Sequence, residues 1–449
     1  MPTALPLRET HRPPALPRRR KVIRGARRTT RSARTTCGAQ IPDHSKTGQH
    51  LGFLPSGSLP QRLASQARSD ARYGPFVHSR TVIKLRYELG NLRPRDSMGT
   101  LVSVTEERMR VLIATDAWHP QVNGVVRTLT SLARSARGFG VDIDFLSPDG
   151  FQTIPLPTYP ELRVALPKQK QIAQRIDQYK PDAIHIATEG PIGYRTRAHC
   201  IKRGWAFTSS YTTRFPEYVS ARLPIPQKLI YAALRRFHAA ASVTMVATPS
   251  LMAELRQRGF SNLGIWTRGV DTELFRPDRA VELGFPRPIF VYVGRVAVEK
   301  NLDAFLSLDL PGTKVVIGTG PQEAELRHRF SEAKFLGLIE HEMLAAHLAA
   351  SDVFVFPSRT DTFGIVQLEA LASGVPIAAF PVTGPKDVIG NNPIGALSHS
   401  LSAACLAALR VSRDACRAFA LNWSWDVSTK QFIGHLRNLV AARGTELPA

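Results

Sequence analysis

From Met109 onward the apolar and polar positions fall into short alternating runs. Residues 111–114, 141–146, 183–187, 207–211 and 243–247 are compact apolar stretches of strand length. Between them the spacing turns helical. Residues 124–136 place Val125, Val126, Leu129, Leu132 and Ala133 on one face, and 169–179, 193–202 and 226–240 read as further helices. The proline-punctuated stretch 270–288 breaks the pattern and predicts a linker. A second series then begins. Strands are predicted at 289–293, 314–317, 335–336, 353–356 and 375–379, with helices opening at Asn301 and Gln322 and another over 341–350. Strands alternating with helices predict parallel sheets covered on both faces, and two series predict two such units.

Composition changes this picture at one end only. The 43% hydrophobic content over 449 residues suits two or three globular domains. No run of eighteen apolar residues occurs, so no transmembrane helix is expected, and no secretory h-region opens the chain. The net charge is +23, of which residues 1–100 carry +15 and the remaining 349 only +8. The basic excess therefore argues for no nucleic-acid partner of the folded part. The Arg-, Pro- and Ser-rich stretch 1–108 is expected to be a disordered extension. It reads as a basic arm, as an organellar transit peptide, or as sequence ahead of a true start at Met98 or Met109; the last is preferred. Cys37, Cys200, Cys405 and Cys416 show no metal spacing and read as free thiols.

Candidate chemistry concentrates in residues 359–374, RTDTFGIVQLEALASG, which follow the apolar run 353–356 and the breaker pair Pro357-Ser358. The segment is expected to open a helix at Thr362, Phe363, Gly364 and Ile365, whose first-turn N–H groups suit an anion. Asp361 stands at its mouth and Glu369 eight residues on. A carboxylate there suits sugar or ribose hydroxyls, because ionised it only accepts hydrogen bonds. Phosphate at one end and hydroxyls at the other describe a nucleotide sugar. Taken alone, the two acids also read as a helix cap and a solvated helix residue. Gly294-Arg295 and Lys300 upstream count against that reading. Gly294 ends a strand, and the two cations lie five apart across the turn into a helix.

These motifs, in this order from about Met109 to about Leu439, resemble the retaining, nucleotide-sugar-dependent glycosyltransferases of family 4, where the first acid is usually Glu rather than Asp361. The resemblance implies a GT-B fold of two Rossmann-like domains facing across a cleft: 109–275 for the acceptor, 276–415 for the nucleotide sugar, and 416–449 as a helix crossing back. It implies Arg295 and Lys300 on the diphosphate of a UDP- or GDP-hexose, Glu369 on the ribose and Asp361 on the sugar. Asn123-Gly124 stands where relatives bring glycines close to the donor phosphate; a turn with no ligand role is the alternative. Thr212, in Ser210-Tyr211-Thr212-Thr213, stands where relatives carry His near the transferred sugar. Gly318-Thr319-Gly320 reads as a turn near the nucleotide. No His/Asp/Glu cluster has metal spacing, so no cofactor or obligatory metal is expected. The implied reaction is hexose transfer to a membrane lipid or glycolipid. A soluble or polysaccharide acceptor is the alternative, as is a silent sugar-nucleotide-binding protein. Residues 223–238, with Lys228, Arg235 and Arg236 among apolar positions, suit an anionic membrane surface or a helix packed on its own sheet.

Overall fold

The computed structural model describes residues 108–444 apart from 122, 157, 158, 221 and 222. The expectations for the N-terminal extension and for Cys37 lie outside the described residues.

The first series builds a six-stranded sheet from β1 (Met109–Ala114), β2 (Val141–Leu146), β5 (Ala183–Ile186), β6 (Thr208–Ser210), β7 (Val243–Val246) and β8 (Leu263–Ile265). A hairpin of β3 (Thr153–Leu156) and β4 (Tyr159–Ala165) stands apart from it. The strand order is β2-β1-β5-β6-β7-β8, and every pairing is parallel. The second series builds another from β9 (Ile289–Val293), β10 (Thr313–Ile317), β11 (Lys334–Gly337), β12 (Val353–Phe356), β13 (Ile377–Ala379) and β14 (Gly395–Leu397). Its order is β11-β10-β9-β12-β13-β14, again parallel throughout. Strands such as β1, β5, β9 and β12 are buried almost end to end, which is why they read as continuous apolar runs rather than alternating ones.

Each order reverses direction once, between β1 and β5 and between β9 and β12. At such a switch point the loops leaving two neighbouring strands diverge to opposite faces and open a crevice beyond the carboxyl ends. The linker 270–288 holds only a short 3-10 turn, Pro277–Arg279. The final helix, Trp425–Gly444, packs on the first sheet, where Phe432, Ile433, Leu436 and Leu439 join Val111, Ile113 and Leu129 in one core cluster. Trp266 Nε1 donates to Ser428 Oγ at 3.1 Å, and Gln431 accepts from Thr267 N at 2.9 Å, fixing the helix beside the end of β8. Backbone crosses between the two sheets twice, and the crossings are paired: Val270 N donates to Trp423 O at 2.8 Å.

Candidate active site

The switch point of the second sheet explains why residues sixty apart meet. The loop after β9 carries Gly294, Arg295 and Lys300; the loop after β12 carries Asp361. Asn301 donates to Pro357 O at 3.0 Å and Ser358 to Glu299 O at 3.2 Å, so the two loops are laced together. Lys300 Nζ then donates to both oxygens of Asp361, at 2.7 and 2.8 Å. Burial works against the Lys300 ammonium, but Asp361 outweighs it and holds the group charged well above the usual lysine range. Two tyrosines that the sequence did not single out flank the pair. Tyr292, on β9, is near enough for both charges to act on its phenol. Tyr218 comes from the other half, where its hydroxyl donates to Thr360 O at 3.4 Å and burial pushes the phenol up to about 12.

Gly294 has φ 149°, and a Cβ there would stand 2.8 Å from the Tyr292 hydroxyl, which donates to Arg295 O. Gly318 and Gly320 serve packing between loops. A Cβ on either would meet the carbonyl of Gly294 or Val296 at 2.0 and 2.2 Å.

The expected helix start at Thr362 is corrected. The helix is Val366–Ala372, with Ile365 as its N-cap. Gly364 adopts φ 80°, a left-handed turn that interrupts a right-handed helix, so Thr362, Phe363 and Gly364 precede the helix instead of forming its first turn. Phe363 is 3% exposed and packs near Trp423, in the core rather than the cleft. Thr362 Oγ1 reaches across to donate to Thr212 O at 2.9 Å. Thr212 is thus at the junction of the halves, its own hydroxyl turned toward Ala187 O at 3.4 Å. His185, two strands' width into the first sheet, is wholly buried between Thr208 and Ser210, and burial lowers its imidazole to about 3.

Asn123 caps helix Gly124–Ala136, its Oδ1 accepting from Val125 N and Val126 N at 3.0 Å each. Gly124 beside it borders open space. One turn into that helix stands Arg127, a residue the sequence reading passed over. Its Nη1 donates to Glu369 Oε1 at 2.8 Å, joining the first half to the second. Glu369 is 3% exposed. Burial alone would raise its carboxyl, yet Arg127 and His341, 4.0 Å away, outweigh burial and hold it below the usual carboxylate range. Its other oxygen, Oε2, has no hydrogen-bond partner among the described residues. The one sequence signal for Arg127 was its place off the apolar face, just after the Asn123-Gly124 turn. Its partner lies 242 residues away.

Residues 122–274 match the family described as Glycosyltransferase Family 4, and residues 287–411 match Glycosyl transferases group 1. A GDP-mannose-dependent alpha-mannosyltransferase of Mycobacterium tuberculosis is 28% identical over 375 residues, covering 75% of this chain and 99% of that protein. The chain is a GT-B-fold glycosyltransferase related to both of these families. Like that relative, this glycosyltransferase uses a nucleotide-sugar donor. The sulfoquinovosyl transferase SQD2 of Arabidopsis thaliana is 31% identical over 263 residues, 55% of this chain and 52% of that one. Sucrose-phosphate synthase from Thermosynechococcus elongatus shares the fold at TM-score 0.61 and 20% identity, covering 75% of the glycosyltransferase and all of that chain. HepE of Anabaena, solved with UDP and glucose, does so at TM-score 0.57 and 14% identity, covering 74% and 100%. The two Rossmann-like sheets of this chain face across a cleft, matching the GT-B architecture. Among the described residues no group of three or more His, Cys, Asp or Glu is placed to hold a metal ion, and no helix is long and apolar enough to cross a membrane.

Proposed function

We propose that this glycosyltransferase is a retaining enzyme that moves a hexose, mannose foremost, from a nucleoside diphosphate to a lipid or glycolipid acceptor. The observation that carries the reading is Glu369. It is a buried carboxylate held ionised at the cleft, with one oxygen fixed and the other without a partner among the described residues, which suits a ribose diol. Lys300 spends two of its three N–H donors on Asp361 and has a third for the diphosphate. As the bond from sugar carbon to phosphate oxygen breaks, its electron pair stays on the diphosphate. Arg295 and Lys300 stabilise that growing charge, with Gly294 letting backbone approach. Asp361, held by Lys300, accepts from a sugar hydroxyl, while the acceptor hydroxyl bonds to the sugar carbon near Thr212 and gives its proton to the departing diphosphate. Asn123 and Gly124 line the phosphate side, and the backbone of Thr362 to Ile365 the other. Residues 109–275 act as the acceptor unit and 276–415 as the donor unit, with 416–449 crossing back.

Mannose is favoured because several relatives at 27–28% identity are GDP-mannose-dependent alpha-mannosyltransferases. A lipid acceptor is favoured by a relative that mannosylates phosphatidylinositol monomannoside. It is favoured also by the surface at 223–236. Leu223, Ile225 and Leu229 are 51%, 39% and 58% exposed beside the exposed Lys228 and Arg236, while Tyr231, Leu234 and Phe237 pack inward. An apolar rim with cations suits the cytoplasmic, anionic face of a membrane. The decisive experiment incubates the protein with labelled GDP-mannose, UDP-glucose and UDP-galactose and a lipid extract. Label is expected in the organic phase with one donor, and Leu229→Asp should weaken sedimentation with anionic vesicles. Label only in water-soluble glycan would overturn the lipid reading. Diphosphate binding without transfer or hydrolysis of any donor would leave a silent sugar-nucleotide-binding protein.

A further inference from the structure

We propose that Arg127 is a positioning residue for the donor: by gripping Glu369 Oε1 from the opposite half of the molecule, it aims Glu369 Oε2 at the ribose and makes ribose recognition depend on a closed cleft. The inference rests on the reading of Glu369 as the ribose ligand and adds a residue from the other unit to that site.

Three observations carry it. The bond is a charge-assisted one at 2.8 Å between residues on different sheets, so it exists only when the two units are apposed. The carboxylate it grips is 3% exposed, and its second oxygen has no protein partner among the described residues. A buried carboxylate oxygen left without a donor is costly, and a ligand hydroxyl would satisfy it. The anchor of Arg127 is rigid. Its helix is capped by Asn123 and sunk into the first sheet through Val126, Leu129 and Leu132, one residue before and two and five after the arginine. On the far side Glu369 sits in a helix whose Leu368, Ala370, Leu371 and Ala372 are all buried. Neither helix can follow the other by bending, so the bond holds only while the two units stay within reach of the arginine side chain. Among the described residues His341, at 4.0 Å, is the one other cation-capable group paired with Glu369 and lies on the donor side, where it is present whether the cleft is open or closed.

Ribose discrimination reads this role and a general packing role does not. The dissociation constants of GDP and of its 2′,3′-dideoxyribose analogue are measured for the full chain by calorimetry, with UDP and its analogue as the second pair should GDP be the weaker ligand. In the wild type the dideoxy form should bind at least about 10-fold more weakly, the scale of one hydrogen bond to a charged group. Arg127→Ala should reduce that ratio several-fold, through weaker binding of the ribose form alone. Arg127→Met keeps the stem over the helix and should behave alike. In steady state both variants should raise the donor KM with kcat less affected. A ratio unchanged in both variants overturns the role of Arg127. Glu369→Gln separates the two readings: if it too leaves the ratio unchanged, the assignment of Glu369 to the ribose falls, whereas a ratio lost in Glu369→Gln but kept in Arg127→Met removes Arg127 alone.

Discussion

Lys300 and Asp361 hold each other through two hydrogen bonds, so neither acts alone. With Lys300 in its proposed role at the leaving diphosphate, Lys300→Ala removes one preorganised cation and should lower kcat/KM by about 10² or more. Removing the acid does something different. Asp361→Ala should lose transfer while diphosphate affinity does not fall, because in the proposed arrangement the freed ammonium keeps its place at the phosphate; calorimetry beside a transfer assay on one preparation checks this. If the two cations carry the charge, EDTA should leave wild-type turnover intact, and loss of activity restored by a divalent ion would refute it. The pair of Arg127 and Glu369 predicts a pH signature in stability. The Glu369 carboxyl is depressed in the folded protein, so its contribution is present above the ordinary carboxylate pKa of about 4.3 and is lost as pH falls through the lower folded value. In Arg127→Met the same buried acid loses its main cation and titrates higher. The gap in melting temperature between wild type and Arg127→Met should therefore be widest above about pH 7 and narrow as the pH is taken down toward 4. A gap independent of pH would mean that Arg127 acts by packing alone.

Elements differ in how plainly the chain announces them. The buried strands β1, β9 and β12 and helices such as Gly124–Ala136 and His341–Ala350 were legible because their periodicity is set by burial on one or both sides. The hairpin of β3 and β4 was not, since Pro155 and Pro160 lie inside it and prolines argue against strands. Helix Pro249–Gln257 was passed over although Thr248 caps it, its Oγ1 accepting from Leu251 N at 3.2 Å, with proline at the first position. The late start of helix Val366–Ala372 turned on a single glycine that reads, in sequence, as permissible within a helix. Of the candidate site, the Lys300, Asp361 and Glu369 positions were singled out by resemblance and spacing. Arg127, Tyr218 and His341 were not, because their pairings span distances in the chain that no local period encodes. Gly364 gives a test at this scale. A Cβ there would lie 2.7 Å from the Phe356 ring at a φ of 80°, so Gly364→Ala should cost about 1–3 kcal/mol, read as a lowered urea midpoint.

For the whole molecule, the two units are joined by a paired crossing near Val270 and Ser424 and by polar bonds across the cleft. Besides Arg127–Glu369, these include Thr362 to Thr212 and Ser250 N to Asp387 at 2.9 Å. The helix Trp425–Gly444 ties the second unit back to the core of the first sheet. Phe432 is fully buried, with its ring centroid 4.9 Å from that of Trp266 and 5.0 Å from that of His185, and Phe432→Ala should cost about 3–5 kcal/mol in denaturant unfolding. Unfolding of the first unit should be affected more than that of the second, since the cavity opens in the first unit's core; limited proteolysis of each unit checks this. The same helix has a consequence for synthesis. Domains of a growing chain ordinarily fold as they leave the ribosome, the earlier one first. Here the face of the first sheet around Val111, Ile113 and Trp266 waits for residues 425–444, so the unit translated first is the one completed last. Until then its uncovered apolar face is a surface for chaperones, and a ribosome stalled between the two units would display it.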